Sequence, residues 1–172
     1  MCFVRPILIL ALTLSSHRAL AQGAGQGPTW EQATTRQWKA LHDKILVMAK
    51  DAQLPDARLE TRPHPDARTL MDELRHVTIG LEMSTAELLG QPFDYAAREK
   101  ADEAKPRTRA LMIREMEAAI AASYPAVEKG ASPRLVMWVE HQAEHYGKLV
   151  SGYRLAGVVP PTSRPRRITP DR

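Results

Sequence analysis

His141 and His145 stand four residues apart, a spacing that puts two side chains on one face of a helix with Cβ atoms roughly 5–6 Å apart. Two imidazoles so placed can share one metal ion. His76 lies at the edge of a separate apolar stripe, with Gly80 one turn later leaving room beside it, so a facing helix can supply a third nitrogen. Three neutral imidazoles with one open position are a common way to hold a catalytic zinc or a related divalent ion. Two unpaired imidazoles in a small core are costly, so a cation or a set of hydrogen-bond partners must satisfy them. Glu73, Glu144 and Tyr146 are the nearest residues that could orient the rings. A core of hydrogen-bonded histidines without metal is the competing reading.

The remaining histidines carry less. His17 belongs to the leader described below, His42 borders the stripe of the first helix, and His64 lies in a proline-rich loop where solvent is the expected neighbour. The run His141-Gln142-Ala143-Glu144-His145 has the two-histidine spacing of a zincin protease. The general base of that motif directly follows the first histidine, and here that place holds Gln142, which accepts no proton at neutral pH. A zincin is therefore excluded. No phosphate-cradling glycine loop is present, and no serine or cysteine stands in a recognisable nucleophilic setting.

The elements that must position these rings are helical. Thr29 is placed to cap a first helix carrying Trp38, Leu41, Ile45 and Met48, which ends before Pro55. Asp66 can cap a second, whose stripe runs Leu70, Leu74, Val77, Leu81 and Leu88 to a stop near Gly90 and Pro92. Residues 91–105 are polar, without a sustained apolar period, and are expected to be a long crossover. A third helix follows Pro106 with Leu111, Met112, Met116, Ala119 and Ile120 inward, and Pro125 is expected to end or kink it. Ser132-Pro133 opens a fourth, which runs to about Leu155 and is closed by Gly157 and Pro160-Pro161. Trp38, Trp138 and the methionines are expected to fill the core. No strand signal competes, so the fold class is all-α, an antiparallel four-helix bundle.

The chain has 172 residues, 44% apolar and 26% charged, which suits one cored domain. Its formal charge of +4 is carried largely by its ends: Arg5 and Arg18 at the start, Arg164, Arg166, Arg167 and Arg172 at the finish. The body lacks the basic stripe that follows a phosphate backbone, which argues against nucleic acid as a partner. Arg5, the apolar run 6–14 and Ala19-Leu20-Ala21 have the pattern of a cleavable signal peptide over 1–21. The expected organisation is a leader at 1–21, a flexible spacer at 22–28, the bundle at 29–161 and a disordered basic tail at 162–172. The product would be exported, periplasmic or extracellular, with no stable membrane anchor after cleavage. Cys2 would leave with the leader, so no disulfide is available to the mature domain.

The stretch from Glu140 to Leu149, followed by Tyr153-Arg154-Leu155, Gly157 and Val159-Pro160-Pro161, resembles the last helix of the DinB-like putative metalloenzymes. Arg62-Pro63-His64-Pro65, Arg68-Thr69-Leu70 and His76-Val77 are similar to that family's second-helix entry, whose histidine is the first metal ligand. The likeness spans most of Trp38 to Pro161. It implies a four-helix bundle, often a homodimer, that holds a divalent ion through three histidines, here His76, His141 and His145. Zinc or nickel is the implied ion, with iron or manganese as alternatives. Relatives include thiol-dependent S-transferases and isomerases, so a metal-dependent hydrolase or thiol S-transferase acting on an unknown small molecule is the implied activity. An exported location would separate the protein from the cytosolic thiols those relatives use. The alternative of a different class is a noncatalytic module that binds metal or dimerises through the same bundle.

Overall fold

A computed structural model describes residues 27–129 and 132–165. Among them are five α-helices and no strand: α1 (Trp30–Ala49), α2 (Leu70–Leu88), α3 (Tyr95–Glu103), α4 (Arg109–Glu128) and α5 (Pro133–Leu155). Short 3-10 turns occupy Asp56–Glu60 and Pro161–Ser163. The expected leader and most of the spacer lie outside the described residues. None of the described helices is long and apolar enough to cross a membrane.

Each helix begins where a short polar side chain takes an otherwise orphaned amide. Thr29, Thr69, Asp94, Thr108 and Ser132 each accept from the backbone three residues on. The second helix thus starts at Thr69, not at Asp66 as the sequence spacing suggests. The amide of Leu70 is bonded at 3.0 Å to the carbonyl of Thr61, which closes residues 61–70 into a loop and prevents an earlier helical turn. Thr69 and Asp72 then form a reciprocal capping box.

Two further expectations are corrected. The crossover at 91–105 contains α3, a helix without an apolar stripe that is held by charge. Arg98 binds Glu82 through two hydrogen bonds of 2.7 and 3.0 Å and reaches Asp102 at 3.3 Å, while Arg75 of α2 meets Asp102 at 2.6 Å. Both Arg75 and Asp102 are buried, where a paired and hydrogen-bonded charge is tolerated and an unpaired one is not. Pro125 does not end α4 at its own position, for the helix continues to Glu128. Pro125 and Ala121, whose carbonyl loses its donor, both face solvent, so water can take the vacated bond. Ala126 and Val127 are meanwhile pulled into the core.

α1 and α2 each pack against α4 and α5 in a bundle-like arrangement, and α3 lies on α2. Trp38, Ile45, Met48, Leu74, Leu81, Met116, Leu135 and Leu149 form the shared interior. Trp38 donates its indole N–H to Ser123 at 3.0 Å, linking α1 to α4, and the Tyr153 hydroxyl donates to the Met48 carbonyl, linking α5 to α1. At Gly152 an added Cβ would sit 2.5 Å from a Leu70 methyl carbon, so a larger residue there would have to displace the Leu70 side chain where α5 approaches the start of α2. Gly157 takes a φ of 77° just after α5, as a glycine-closed helix end requires. The first residues of the expected tail make contacts with the bundle. Tyr146 bonds Thr162 at 2.6 Å, and the Arg164 guanidinium pairs with Asp51; residues 166–172 of the expected tail lie outside the described ones.

His42 is fully enclosed in this core. Its Nδ1–H donates to the Trp38 carbonyl at 2.8 Å, and its Nε2 is buried without a partner. Burial pushes its pKa down to about 4, against a small opposing effect of the Trp38 bond. The unfolded chain therefore takes up a proton below about 6.5 that the folded chain refuses until about 4. Stability is complete above the upper value and falls as pH drops toward the lower. Between pH 7 and 4, metal-free wild-type protein should lose on the order of 3 kcal/mol more than His42→Phe in urea unfolding. Parallel losses in the two proteins would show that His42 does not carry this acid sensitivity.

Candidate metal centre

The two ends of the site come from α2 and α5, whose packing brings His76 opposite the turn that carries His141 and His145. One potential ligand atom from each of the three rings lies within 4.8 Å of the others. His145 is buried, while His76 and His141 are half-buried. The ring centroids of His145 stand 4.7 Å from His76 and 4.6 Å from His141, each pair edge to face. The predicted triad is thus brought together, and His42 and His64 are not part of it.

Hydrogen bonds decide which nitrogens face inward. His145 Nδ1–H donates to Glu73 Oε1 at 2.5 Å, which leaves its Nε2 with a lone pair 3.1 Å from Nε2 of His141. Two such lone pairs repel unless a proton or a cation lies between them. A tetrahedral zinc shell with bonds of about 2.0–2.1 Å places neighbouring nitrogens about 3.3 Å apart, close to the separation seen. On the opposite side Nδ1 of His76 meets the Tyr95 hydroxyl at 2.9 Å, leaving Nε2 for a cation, and that hydroxyl lies 3.5 Å from Glu99. His141 is braced by Trp138, whose ring stands edge-on at 5.6 Å and whose N–H is anchored on Glu87 at 2.8 Å. The donor set, three nitrogens with two of them oriented by outer partners, fits a borderline divalent ion.

The electrostatics disfavour protonation of His76 and His141. Burial lowers the His76 pKa to about 4, helped by the Arg68 guanidinium and by His145. Burial and the adjacent His145 also lower that of His141. Burial alone would raise the Glu73 carboxyl, but the His145 bond together with Lys148 and Arg68 outweighs it and holds the group below the usual range. Neutral imidazoles at these two positions are the state that metal binding requires.

Of the three orienting residues expected from sequence, only Glu73 serves. Glu144 is exposed on the neighbouring face and acts on His141 through its charge alone. Tyr146 turns away to bond Thr162. Gly80 makes room for Gln142 rather than for an imidazole: an added Cβ would lie 3.4 Å from its Nε2. Tyr95, by contrast, is not singled out by spacing on the metal-bearing helices. Its signal is indirect, in Asp94 as a cap and in the four-residue steps from Tyr95 to Glu99 and from Arg98 to Asp102. Those steps place the phenol and the ion pairs on α3.

Comparison of the chain with models of protein families, with curated proteins and with solved structures finds no match. The site is therefore interpreted from its own geometry.

If Glu73 and Tyr95 orient the rings, Glu73→Gln and Tyr95→Phe should each weaken zinc binding by about 10–100-fold in competition against a chromophoric chelator. Glu144→Gln and Tyr146→Phe should bind as wild type does. Equal affinities across all four variants would contradict the assigned roles.

Proposed function

We propose that the protein holds one divalent metal ion through His76, His141 and His145 and uses it as a metal-dependent enzyme of DinB type, a hydrolase or thiol S-transferase acting on a small molecule. The observation that carries the proposal is the convergence of three imidazoles from two helices within 4.8 Å. In this reading α1, α2, α4 and α5 are the four helices of a DinB-like bundle and α3 is an addition laid across α2. Zinc or nickel suits an all-nitrogen set better than magnesium or calcium, which prefer oxygen. The exported location remains part of the proposal, carried by the leader-like first 21 residues.

A bound ion would supply Lewis acidity, the chemistry that polarises an oxygen or sulfur group at neutral pH. The chain's own residues set the conditions. Glu73 holds His145 in one tautomer, Tyr95 holds His76, and the perpendicular Trp138 ring packs beside His141. Gln142 points into the core, with its amide 3.5 Å from the Val77 carbonyl, so it takes no part in proton transfer. Glu73 is the one buried carboxylate at the triad. Its second oxygen, 3.8 Å from Arg68, is placed to accept a proton at the cavity wall.

Elemental analysis of the purified protein after metal supplementation tests the site. One ion per chain is expected in wild type, and none in His76→Ala or His145→Ala. Retention of metal by both variants, or its absence from wild type, would remove the centre. Cobalt-substituted protein separates enzyme from inert binder: visible bands that shift with azide or a small thiol report an open position, whereas bands indifferent to both support the noncatalytic module.

A further inference from the structure

Beside the triad lies a cavity of about 440 Å³ lined by Thr61, Asp66, Arg68, Glu73, Lys148 and Gly152, among others. A second, of about 300 Å³, holds His76 and shares Arg68 with the first. Arg68 therefore stands at the junction of the two, between the imidazoles and the larger space. Its guanidinium makes no hydrogen bond among the described residues, and its nearest carboxylate oxygen is Glu73 Oε2 at 3.8 Å. Lys148, one helical position beyond Gly147 on α5, has neither a hydrogen bond nor an ion pair from its side chain among the described residues. Both cations act on Glu73, whose other oxygen is taken by His145.

Arg68, held only by its 3.8 Å pair with Glu73, and Lys148 face one cavity, and the planar guanidinium fork matches a carboxylate in two parallel bonds. The volume is that of a small-molecule site. Arg68 and Lys148 are matched by Asp66 and Glu73, so the lining carries no net charge, and a dianion, which costs more to strip of water than a monoanion, finds no surplus attraction there. That favours a carboxylate over a phosphate.

We propose that this cavity is the subsite for a small monocarboxylate, held by Arg68 and Lys148 with the rest of the molecule directed toward the imidazole triad. The proposal deepens the metal-centre reading and rests on it for the direction of the substrate, but not for binding of the anion. Arg68 and Lys148 are thus specificity-determining residues that touch the substrate and not the metal.

The test is a nitrogen-15 NMR titration of the metal-free and zinc-loaded protein with sodium acetate, using sodium phosphate and acetamide as comparison probes. Acetate should shift the amides of Ala67, Arg68 and Thr69 saturably in both forms, with half-saturation on the order of millimolar. Acetamide should leave them in place, and phosphate should bind more weakly than acetate. Arg68→Gln and Lys148→Gln should each weaken acetate binding at least tenfold while still taking up one zinc per chain. Tighter binding of phosphate, or an unchanged acetate response in Arg68→Gln, would overturn the subsite. A saturable, Arg68-dependent acetate response in a protein that binds no zinc would uphold the subsite and sink the metal reading. Stoichiometric zinc with no acetate response would do the reverse.

Discussion

The hydrogen bond from His145 Nδ1 to the Glu73 carboxylate determines what the rest of the site can be. An imidazole offers two nitrogens, and fixing a proton on one commits the other to act as an acceptor. With Nδ1 committed to Glu73, the lone pair of Nε2 is directed at His141, whose own Nε2 must either donate a proton to it or share a cation with it. Apolar packing cannot take the place of that partner, because the His145 ring and the Glu73 carboxylate are already buried together. The charge must be balanced where it stands.

The bundle supplies the constraint that makes this possible. Glu73 and His76 are three residues apart on α2, and His141 and His145 four apart on α5, so one contact between two helices sets four side chains at once. Gly152 allows the close approach at Leu70, and the capping box at Thr69 and Asp72 fixes where α2 begins and hence the rotation of its polar face. The third side is closed by α3, which has little apolar surface of its own. Its hold on α2 is ionic, through Arg75, Arg98, Glu82 and Asp102, and it brings the Tyr95 hydroxyl to His76. The protein thus uses its apolar core to place two of the rings and a charged clamp to steady the partner of the third.

What the sequence made legible follows the range of each interaction. The four long helices and the inward positions Trp38, Ile45, Leu74, Met116 and Leu149 come from periodicity, which is local. The pair His141 and His145 comes from the same source, and His76 from its place on a stripe. Thr69 displaces Asp66 as the cap because of a bond to Thr61, formed only when the loop closes. Pro125 continues its helix because the cost falls on a solvated carbonyl while Ala126 and Val127 gain burial. Tyr95 and the α3 ion pairs are invisible to an apolar period because they involve none. Tyr146 and Glu144 sit at helical spacings from a ligand, but one rotates out to Thr162 and the other to solvent. Proximity in the chain did not settle direction.

The arrangement can be measured most directly by zinc X-ray absorption on the loaded protein. Three imidazole nitrogens at about 2.0–2.1 Å, with outer-ring scattering that drops by one ring in His76→Ala, are the expected result. A shell made chiefly of oxygens, or a spectrum unchanged by that substitution, would show that the three rings do not hold a common ion.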